Sequence, residues 1–187
     1  MGDSKGAGDR SGSEVAPRVS VSQAGESQRR LIDALAQFYI YDFSEMEPAG
    51  SVDFEVDEQG GFGDLPGVGA YWREADCHVL LIRVNERPAG FALINAHSHR
   101  DGGHIERNMG EFFVMRKHRG RGAAAEAVRQ VLQLYPGRWE IAVAERNAAA
   151  KTFWPRAIAA APNVSELTRI EGDGHHWRGP IWTFVAS

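Results

Sequence analysis

The sequence predicts an α/β domain in which a mixed sheet of about six or seven strands is covered by about four helices. Three observations favour this fold class. Over residues 109–160, a strand, a glycine-rich turn, a helix, a second strand and a second helix follow one another. Segments typical of antiparallel hairpins lie on both sides of this stretch. The length of 187 residues suits one domain, which we place over residues 18–187.

The first part of the chain contains short or weak elements. Residues 1–17 are rich in Gly, Ser and charge, and we expect a disordered tail there because too few apolar side chains offset the entropy of ordering. Val19–Val21 predicts a short strand, and apolar residues at helical spacing over 31–38 predict the first helix. The Gly-, Pro- and acid-rich stretch over 46–70 predicts a long loop with room for one short helix.

Strong strand patterns begin at Cys77. Cys77–Val84 and Ala89–Ala96 predict an antiparallel hairpin around a four-residue turn. Met109–Met115 predicts the next strand, and the helix behind it ends at Pro136. The later elements are predicted as a strand, a helix and a closing hairpin, at Trp139–Ala144, Asn147–Ala160, Ser165–Ile170 and Trp177–Val185.

Composition and charge exclude several classes of protein. The chain is 43% hydrophobic and 25% charged, as is usual for a globular domain, and its net charge of −4 argues against nucleic-acid binding, which needs a basic surface. Cys77 is the single cysteine, so an intrachain disulfide and a cysteine metal cluster are excluded. The apolar runs are too short for a membrane span, and a hydrophobic signal core is missing. We therefore expect a soluble, cytoplasmic protein without membrane or nucleic-acid partners.

The motif that carries the chemistry is Arg119–Ala124, with the sequence Arg-Gly-Arg-Gly-Ala-Ala, at the junction of a strand and a helix. Unpaired backbone N–H groups and the positive end of the helix dipole form an anion site at such a junction. Small residues let the backbone approach phosphate oxygens closely. The motif fits Arg/Gln-x-x-Gly-x-Gly/Ala, and the chain thereby resembles the acyl-CoA N-acyltransferase (GNAT) superfamily, in which this segment wraps the pyrophosphate of coenzyme A.

Two further features agree with this resemblance. The apolar Val114 lies five residues before Arg119, and Asn147 and Ala150 match the family's Asn-x-x-Ala, whose asparagine contacts pantetheine. The resemblance implies the GNAT fold and an N-acetyltransferase that moves the acetyl group of acetyl-CoA to an amine by direct attack, without a metal. It assigns coenzyme binding to Phe113, Val114, Arg119, Gly120, Arg121, Gly122, Ala123, Ala124, Asn147, Ala150 and Trp154.

Glu111 and Glu145 are the candidate catalytic residues, because a protonated amine must lose a proton before it attacks. Glu111 shares a strand face with Phe113, where a carboxylate would border the acceptor cleft, although a solvated or ion-paired strand-end charge is an equal alternative. Glu145 follows the neighbouring strand and is the second candidate, with a loop carboxylate as its alternative. The resemblance also assigns the backbone amide of Val114 to the oxyanion of the intermediate.

Trp154 departs from the family pattern. Similar enzymes commonly carry a tyrosine seven residues after the asparagine, as acid to the leaving thiolate, and an indole N–H is not a practical proton source. We interpret Trp154 as an apolar wall for the pantetheine arm. The same departure favours an alternative function, a catalytically weak or inactive acyl-CoA-binding sensor or regulatory module.

The end of the first predicted helix carries the candidate acceptor-binding residues Tyr39, Tyr41 and Asp42. In similar enzymes this region forms one wall of the acceptor site. Packing on the sheet is the alternative for the tyrosines, and solvent exposure is the alternative for Asp42. The resemblance predicts an amine-bearing small molecule or a protein amino group as acceptor. It does not choose between them, and it leaves a homodimer open.

Two clusters have competing interpretations. Histidines form two groups, His97, His99 and His104 and, later, His175 and His176. Imidazole is a common metal ligand, but this spacing matches no compact metal site, so we predict loop or acceptor-cleft histidines and no metal. The basic run Arg116–Arg121 could contact nucleic acid, yet coenzyme phosphates account for the same charges in an acidic protein.

Overall fold

The computed structural model describes residues 16–48, 50–65 and 67–187. Most of the predicted tail, residues 1–15, lies outside these ranges. The described strands are β1 (Val19–Gln23), β2 (His78–Val84), β3 (Arg87–Asn95), β4 (Arg107–Val114), β5 (Gly137–Ala142), β6 (Val164–Glu171) and β7 (Pro180–Ala186). The described α-helices are α1 (Arg29–Ser44), α2 (Val68–Tyr71), α3 (Ala123–Leu134) and α4 (Ala148–Ala159). Within these ranges, no helix combines the length and apolar character needed to cross a bilayer.

The described strands form one seven-stranded sheet in the order β1-β2-β3-β4-β5-β7-β6. β4 and β5 are parallel and are joined through α3, whereas every other neighbouring pair in the sheet is antiparallel. The mixed sheet with helical cover, predicted from the order of elements, is confirmed.

The hairpin between β2 and β3 is tighter than predicted. Its central residues are Asn85 and Glu86, both with positive φ, at 50° and 67°. Two-residue turns with this backbone match the right-handed twist of the flanking strands. Pro88 therefore lies inside β3, where a register shift in the pairing with β2 accommodates the residue without an N–H.

Both faces of the central strands are buried, as β2 illustrates. Leu80 packs on the face covered by α3 and α4, whereas Val79 and Leu81 pack on the face covered by α1. This alternation follows from the two-residue period of a strand. The buried residues of α1 recur at helical spacing, at Ile32, Leu35, Ala36 and Ile40.

The sheet opens between β4 and β5. These strands pair only near their starts, at Arg107–Trp139 and Asn108–Glu140, although β4 continues to Val114. On its other side, β4 contains a bulge, because Leu93 pairs with Glu111 while Ile94 pairs with Met109, so Gly110 is the extra residue. Bulges bend a strand and re-aim its side chains. The divergence leaves a wedge between the carboxyl ends of β4 and β5.

Candidate active site

The wedge opens into two connected cavities. The larger, which we call the main cleft, has a volume of about 660 Å³ and runs between the end of β4, the turn before α3 and the start of α4. The smaller, the inner pocket, has a volume of about 260 Å³ and lies against the middle of β4 and the end of β5. Six residues are shared by the linings of the two cavities: Tyr39, Phe43, Phe112, Asn147, Ala150 and Trp154.

The glycine-rich turn before α3 forms one end of the main cleft. Gly120 and Gly122 have φ of 72° and 82°, a left-handed conformation that glycine adopts readily. Gly122 is the N-cap of α3, so the cap supplies no side chain to the first amides of that 12-residue helix. Free amides of this kind, together with the helix dipole, favour the binding of anions. Arg119 and Ala124 also line the cleft, whereas Ala123 is buried beneath the turn.

Two arginines connect this turn with the end of α1. Arg119 Nε donates to the carbonyl oxygen of Val114 at 2.6 Å, and its guanidinium also bonds the Asp42 carboxylate. Arg116 donates to the other oxygen of Asp42 and to Glu45, both at 2.8 Å. Asp42 therefore acts as the shared counter-ion of the turn, with both carboxylate oxygens bonded to arginines.

The free edge of β4 faces the main cleft. Met115 N donates to Ala89 O of β3 at 2.8 Å. Because successive residues of a strand direct their amides to opposite edges, the amides of Val114 and Phe112 face away from β3. The bond from Arg119 to the Val114 carbonyl agrees with this direction. An extended ligand can therefore pair with β4 along the wedge, as peptides do at exposed sheet edges.

The start of α4 and its aromatic residues form the opposite wall. Asn147 caps the helix, since its Oδ1 accepts from Ala150 N at 2.9 Å. Trp154 is only 6% exposed, and its indole packs edge-on against Phe112 and Phe153, with 5.2 Å between ring centroids in each pair. The indole is thus fixed as an apolar surface where the two cavities meet.

Glu111 lies in the inner pocket and is hydrogen-bonded by the Tyr39 hydroxyl. Burial raises the pKa of Glu111 to about 7, and the hydrogen bond from Tyr39 opposes part of that rise. Burial, and after it the charge of Glu111, keeps the pKa of Tyr39 well above its ordinary value. Tyr39 also packs on Phe113, so Glu111 and Phe113 share a face of β4, as predicted. A carboxyl group that titrates near neutrality is suited to proton transfer.

Comparison with known proteins identifies the family. A sequence model described as Acetyltransferase (GNAT) family matches residues 30–158. The chain belongs to the GNAT acetyltransferase family. No curated protein sequence matches it.

Several solved structures share the GNAT fold. An acetyltransferase from Thermus thermophilus is 13% identical, with a TM-score of 0.60 over 90% of this chain and 97% of that one. The PaiA N-acetyltransferase from Thermoplasma acidophilum, in complex with coenzyme A, is 7% identical. Its TM-score is 0.58 over 91% of this chain and 99% of that one. Spermidine N-acetyltransferase from Vibrio cholerae, in complex with CoA and spermine, is 11% identical. Its TM-score is 0.53 over 90% of this chain and 95% of that one. The predicted family and fold are confirmed.

Some predicted site residues of this GNAT domain lie elsewhere. Glu145 is exposed and borders a separate polar depression beside Lys151 and Arg178. Tyr41 is 59% exposed and packs on Phe62, with 6.2 Å between ring centroids, outside the lining of both cavities. Arg121 is exposed on the turn. Among the candidate acid–base residues, the structure therefore brings only Glu111 to the inner pocket.

The sequence prediction missed two aromatic residues of the inner pocket, Phe43 and Trp177, and it named His99 only as a histidine of a loop or of the acceptor cleft. Trp177 was predicted in a strand, but β7 begins only at Pro180, because residues 172–179 form a loop in which Asp173 Oδ1 accepts from the amides of His175 and His176. Three glycines in this stretch were the signal for a loop. Among the described residues, no three His, Cys, Asp or Glu side chains are grouped closely enough to hold a metal ion.

Proposed function

We propose that this protein is an N-acetyltransferase that transfers the acetyl group of acetyl-CoA to an amine by direct attack. The observation that carries the proposal is the position of Glu111. It is a half-buried carboxyl group with a pKa of about 7, in a pocket continuous with a cleft that ends at the glycine-rich turn before α3. Relatives solved with coenzyme A, from Thermoplasma acidophilum and Vibrio cholerae, support the choice of co-substrate.

The residues of the main cleft fit coenzyme A. The amides at Gly122 and the start of α3, with Arg119, would hold the pyrophosphate, because they combine N–H donors, a helix dipole and a positive charge. The free edge of β4 would pair with the amides of the pantetheine arm, and Trp154 would pack against it. When bound, acetyl-CoA supplies an activated thioester at the entrance of the inner pocket.

Glu111 would accept the proton of the incoming amine. A primary ammonium has a pKa of about 10 and must lose a proton before attack. A carboxylate with a pKa of about 7 is a stronger base than an ordinary one and is still largely ionised above neutral pH. Tyr39 orients the carboxylate through its hydrogen bond. The amide of Val114 would donate to the oxyanion of the tetrahedral intermediate.

Trp154 supports a second candidate function, an acyl-CoA-binding module with little or no turnover. The indole occupies the family's usual tyrosine position and cannot readily protonate a leaving thiolate. A thiolate with a pKa of about 8.5 can nonetheless leave near neutrality with help from water, so we favour the enzyme.

One assay decides between the two functions. Purified protein is mixed with acetyl-CoA and a panel of primary amines, and free CoA and acetylated amine are quantified by chromatography. Equal amounts of both products, dependent on Glu111, are the expected result. Tight acetyl-CoA binding by calorimetry, without turnover of any amine, would favour the binding module.

A further inference from the structure

We infer that the inner pocket takes its acceptor as a small monoamine with a flat apolar group, and that the contacting ring pair His99–Trp177 selects it. This inference rests on the proposed function, because it assigns the inner pocket to the acceptor. It goes beyond that function by naming a substrate class and two specificity residues, neither of which is part of the glycine turn or the Glu111–Tyr39 pair.

The lining of the inner pocket favours one positive charge and an apolar body. Among the described residues that line it, Glu111 is the one carboxylate, and Lys and Arg are missing. The rest are glycine, aliphatic side chains, aromatic rings and the amide of Asn147. A second ammonium group buried here would lack a charged partner, which is costly. The chemistry therefore fits a monoamine better than a polyamine.

The size of the pocket limits the acceptor further. Its volume of about 260 Å³ lies just below the 300–1,000 Å³ typical of sites for drug-sized ligands. A single ring with a short aminoalkyl chain matches such a space. The amino group would lie at Glu111 and the ring would lie toward the loops that follow β3 and β6.

Those two loops meet through His99 and Trp177, whose ring centroids are 4.4 Å apart. The Trp177 indole N–H donates to Val143 O at 3.2 Å, which fixes the ring at the end of β5. Aromatic surfaces recognise flat apolar groups through offset or edge-on packing. The pair thus presents a fixed aromatic wall to the pocket.

A buried carboxylate holds the His99 side of this wall. Glu140 is fully buried in β5 and accepts from His99 N at 2.6 Å, and from Ser98 Oγ and Arg100 Nε at 2.8 Å each. Together with the indole bond to Val143, these contacts position the pair before a ligand arrives. Preorganisation of this kind favours selectivity, because less ordering accompanies binding.

The charge of His99 agrees with a packing role. Burial lowers the pKa of His99 and is the largest influence on it. The charge of Glu140 raises this pKa in part, and His97 lowers it by a smaller amount. The imidazole is therefore mainly neutral at pH 7 and does not repel an incoming ammonium group. Its ring extends the apolar surface of Trp177.

The test compares four acceptors with the full-length protein: 2-phenylethylamine, hexylamine, spermidine and a short peptide with an N-terminal alanine. Turnover is followed as acetylated product, and amine binding is measured by calorimetry in the presence of CoA. We expect kcat/KM for 2-phenylethylamine to exceed that for spermidine and the peptide by at least about tenfold, the effect of ~1.4 kcal/mol.

Substitutions in the aromatic wall of His99 and Trp177 test whether these two rings select the acceptor. Trp177→Ala and His99→Ala should each lower kcat/KM for 2-phenylethylamine about tenfold or more, and lower that for hexylamine less. His99→Phe and Trp177→Phe keep a flat ring and should retain activity within about threefold, which an acid–base role of His99 would not allow. His104→Ala, in the same loop but exposed, is the matched control.

Failure of the inference differs from failure of the proposed function. If spermidine or the peptide is acetylated as well as 2-phenylethylamine, or if His99→Phe abolishes turnover, the inferred selectivity is wrong while the acetyltransferase stands. If no amine is acetylated, the proposed function fails, and calorimetry alone decides the inference. Binding of 2-phenylethylamine that is no tighter than binding of spermidine would then overturn it.

Discussion

The main cleft and the inner pocket meet at Trp154, yet they are built in different ways. The end of the main cleft is lined by residues of one short segment, Arg119, Gly120, Gly122 and Ala124, and the binding groups that we propose there are mostly backbone amides at the start of α3. The inner pocket is lined by residues from α1, the loop after β3, β4, the end of β5 with the residues that follow it, α4 and the loop before β7. A backbone site depends on local conformation, whereas a side-chain site depends on contacts between distant segments. Substitutions in the two regions should therefore have separable effects.

The largest expected effect is loss of coenzyme binding on Gly122→Glu. The substitution puts bulk and negative charge beside the pyrophosphate site, at a φ of 82° that disfavours a side chain. We expect acetyl-CoA affinity to fall by at least about a hundredfold, which corresponds to ~2.7 kcal/mol. Isothermal titration calorimetry measures this affinity. Gly60→Glu, at a φ of 83° with open space around it, controls for backbone strain. Unchanged affinity in a folded Gly122→Glu protein would contradict the assignment of the turn.

The second expected effect is confined to the inner pocket. Glu111→Gln removes the proposed base and keeps the shape, so turnover should fall by about 10²- to 10⁴-fold while acetyl-CoA affinity stays nearly constant. Steady-state kinetics and calorimetry on the same preparation separate the two effects. Glu58→Gln, in an exposed part of the long loop, is the control. A loss below about threefold between pH 6 and 9 would move the base elsewhere.

The third prediction concerns pH. Glu111 must be ionised to accept a proton, so kcat/KM should fall as the pH drops through about 7, the pKa of this carboxyl group. The Tyr39 hydrogen bond lowers that pKa, so Tyr39→Phe should move the acid limb to higher pH. A pH–rate profile of both proteins tests the shift. A movement of the acid limb to lower pH would contradict the role of Tyr39.

The same group also affects stability, with a sign that follows from linkage. The unfolded carboxyl titrates near about 4.3, whereas the folded one titrates at about 7, so between these pH values the folded state binds more protons. The free energy of unfolding should therefore fall as the pH rises through this window. Glu111→Gln should flatten that slope in urea titrations, which checks the pKa of Glu111 without any substrate.

The smallest expected effect is that of Trp154→Phe, at the junction of the two cavities. Because we assign the indole to packing, Phe should retain turnover within about fivefold, well below the effect of lost acid–base chemistry. Trp154→Ala should instead weaken coenzyme binding, through the loss of apolar contact, and lower stability by about 3–5 kcal/mol. A roughly hundredfold loss of turnover in Trp154→Phe, with coenzyme affinity unchanged, would show that the indole has a chemical role.

Many features of the fold could be predicted because they depend on local patterns. Apolar runs on both sides of a turn-like segment predicted β2 and β3, helical spacing predicted α3, and glycines at a strand–helix junction predicted the turn before α3. The boundaries that differ depend on longer-range contacts. The strand predicted to begin at Trp177 begins later, because Asp173 binds the amides of a loop and the indole is bonded to the residue after β5.

The sequence by itself determined the family, the mixed sheet and the position of the glycine-rich turn before a helix, because these depend on local patterns of glycine and apolar residues. Only the tertiary structure decided the environment of Glu111, whose pKa depends on burial and on Tyr39, 72 positions away. It also paired Asp42 with two arginines, left Glu145 outside the pocket and brought His99 onto Trp177. Burial and contacts between distant residues set these properties, and no local pattern in the chain records them.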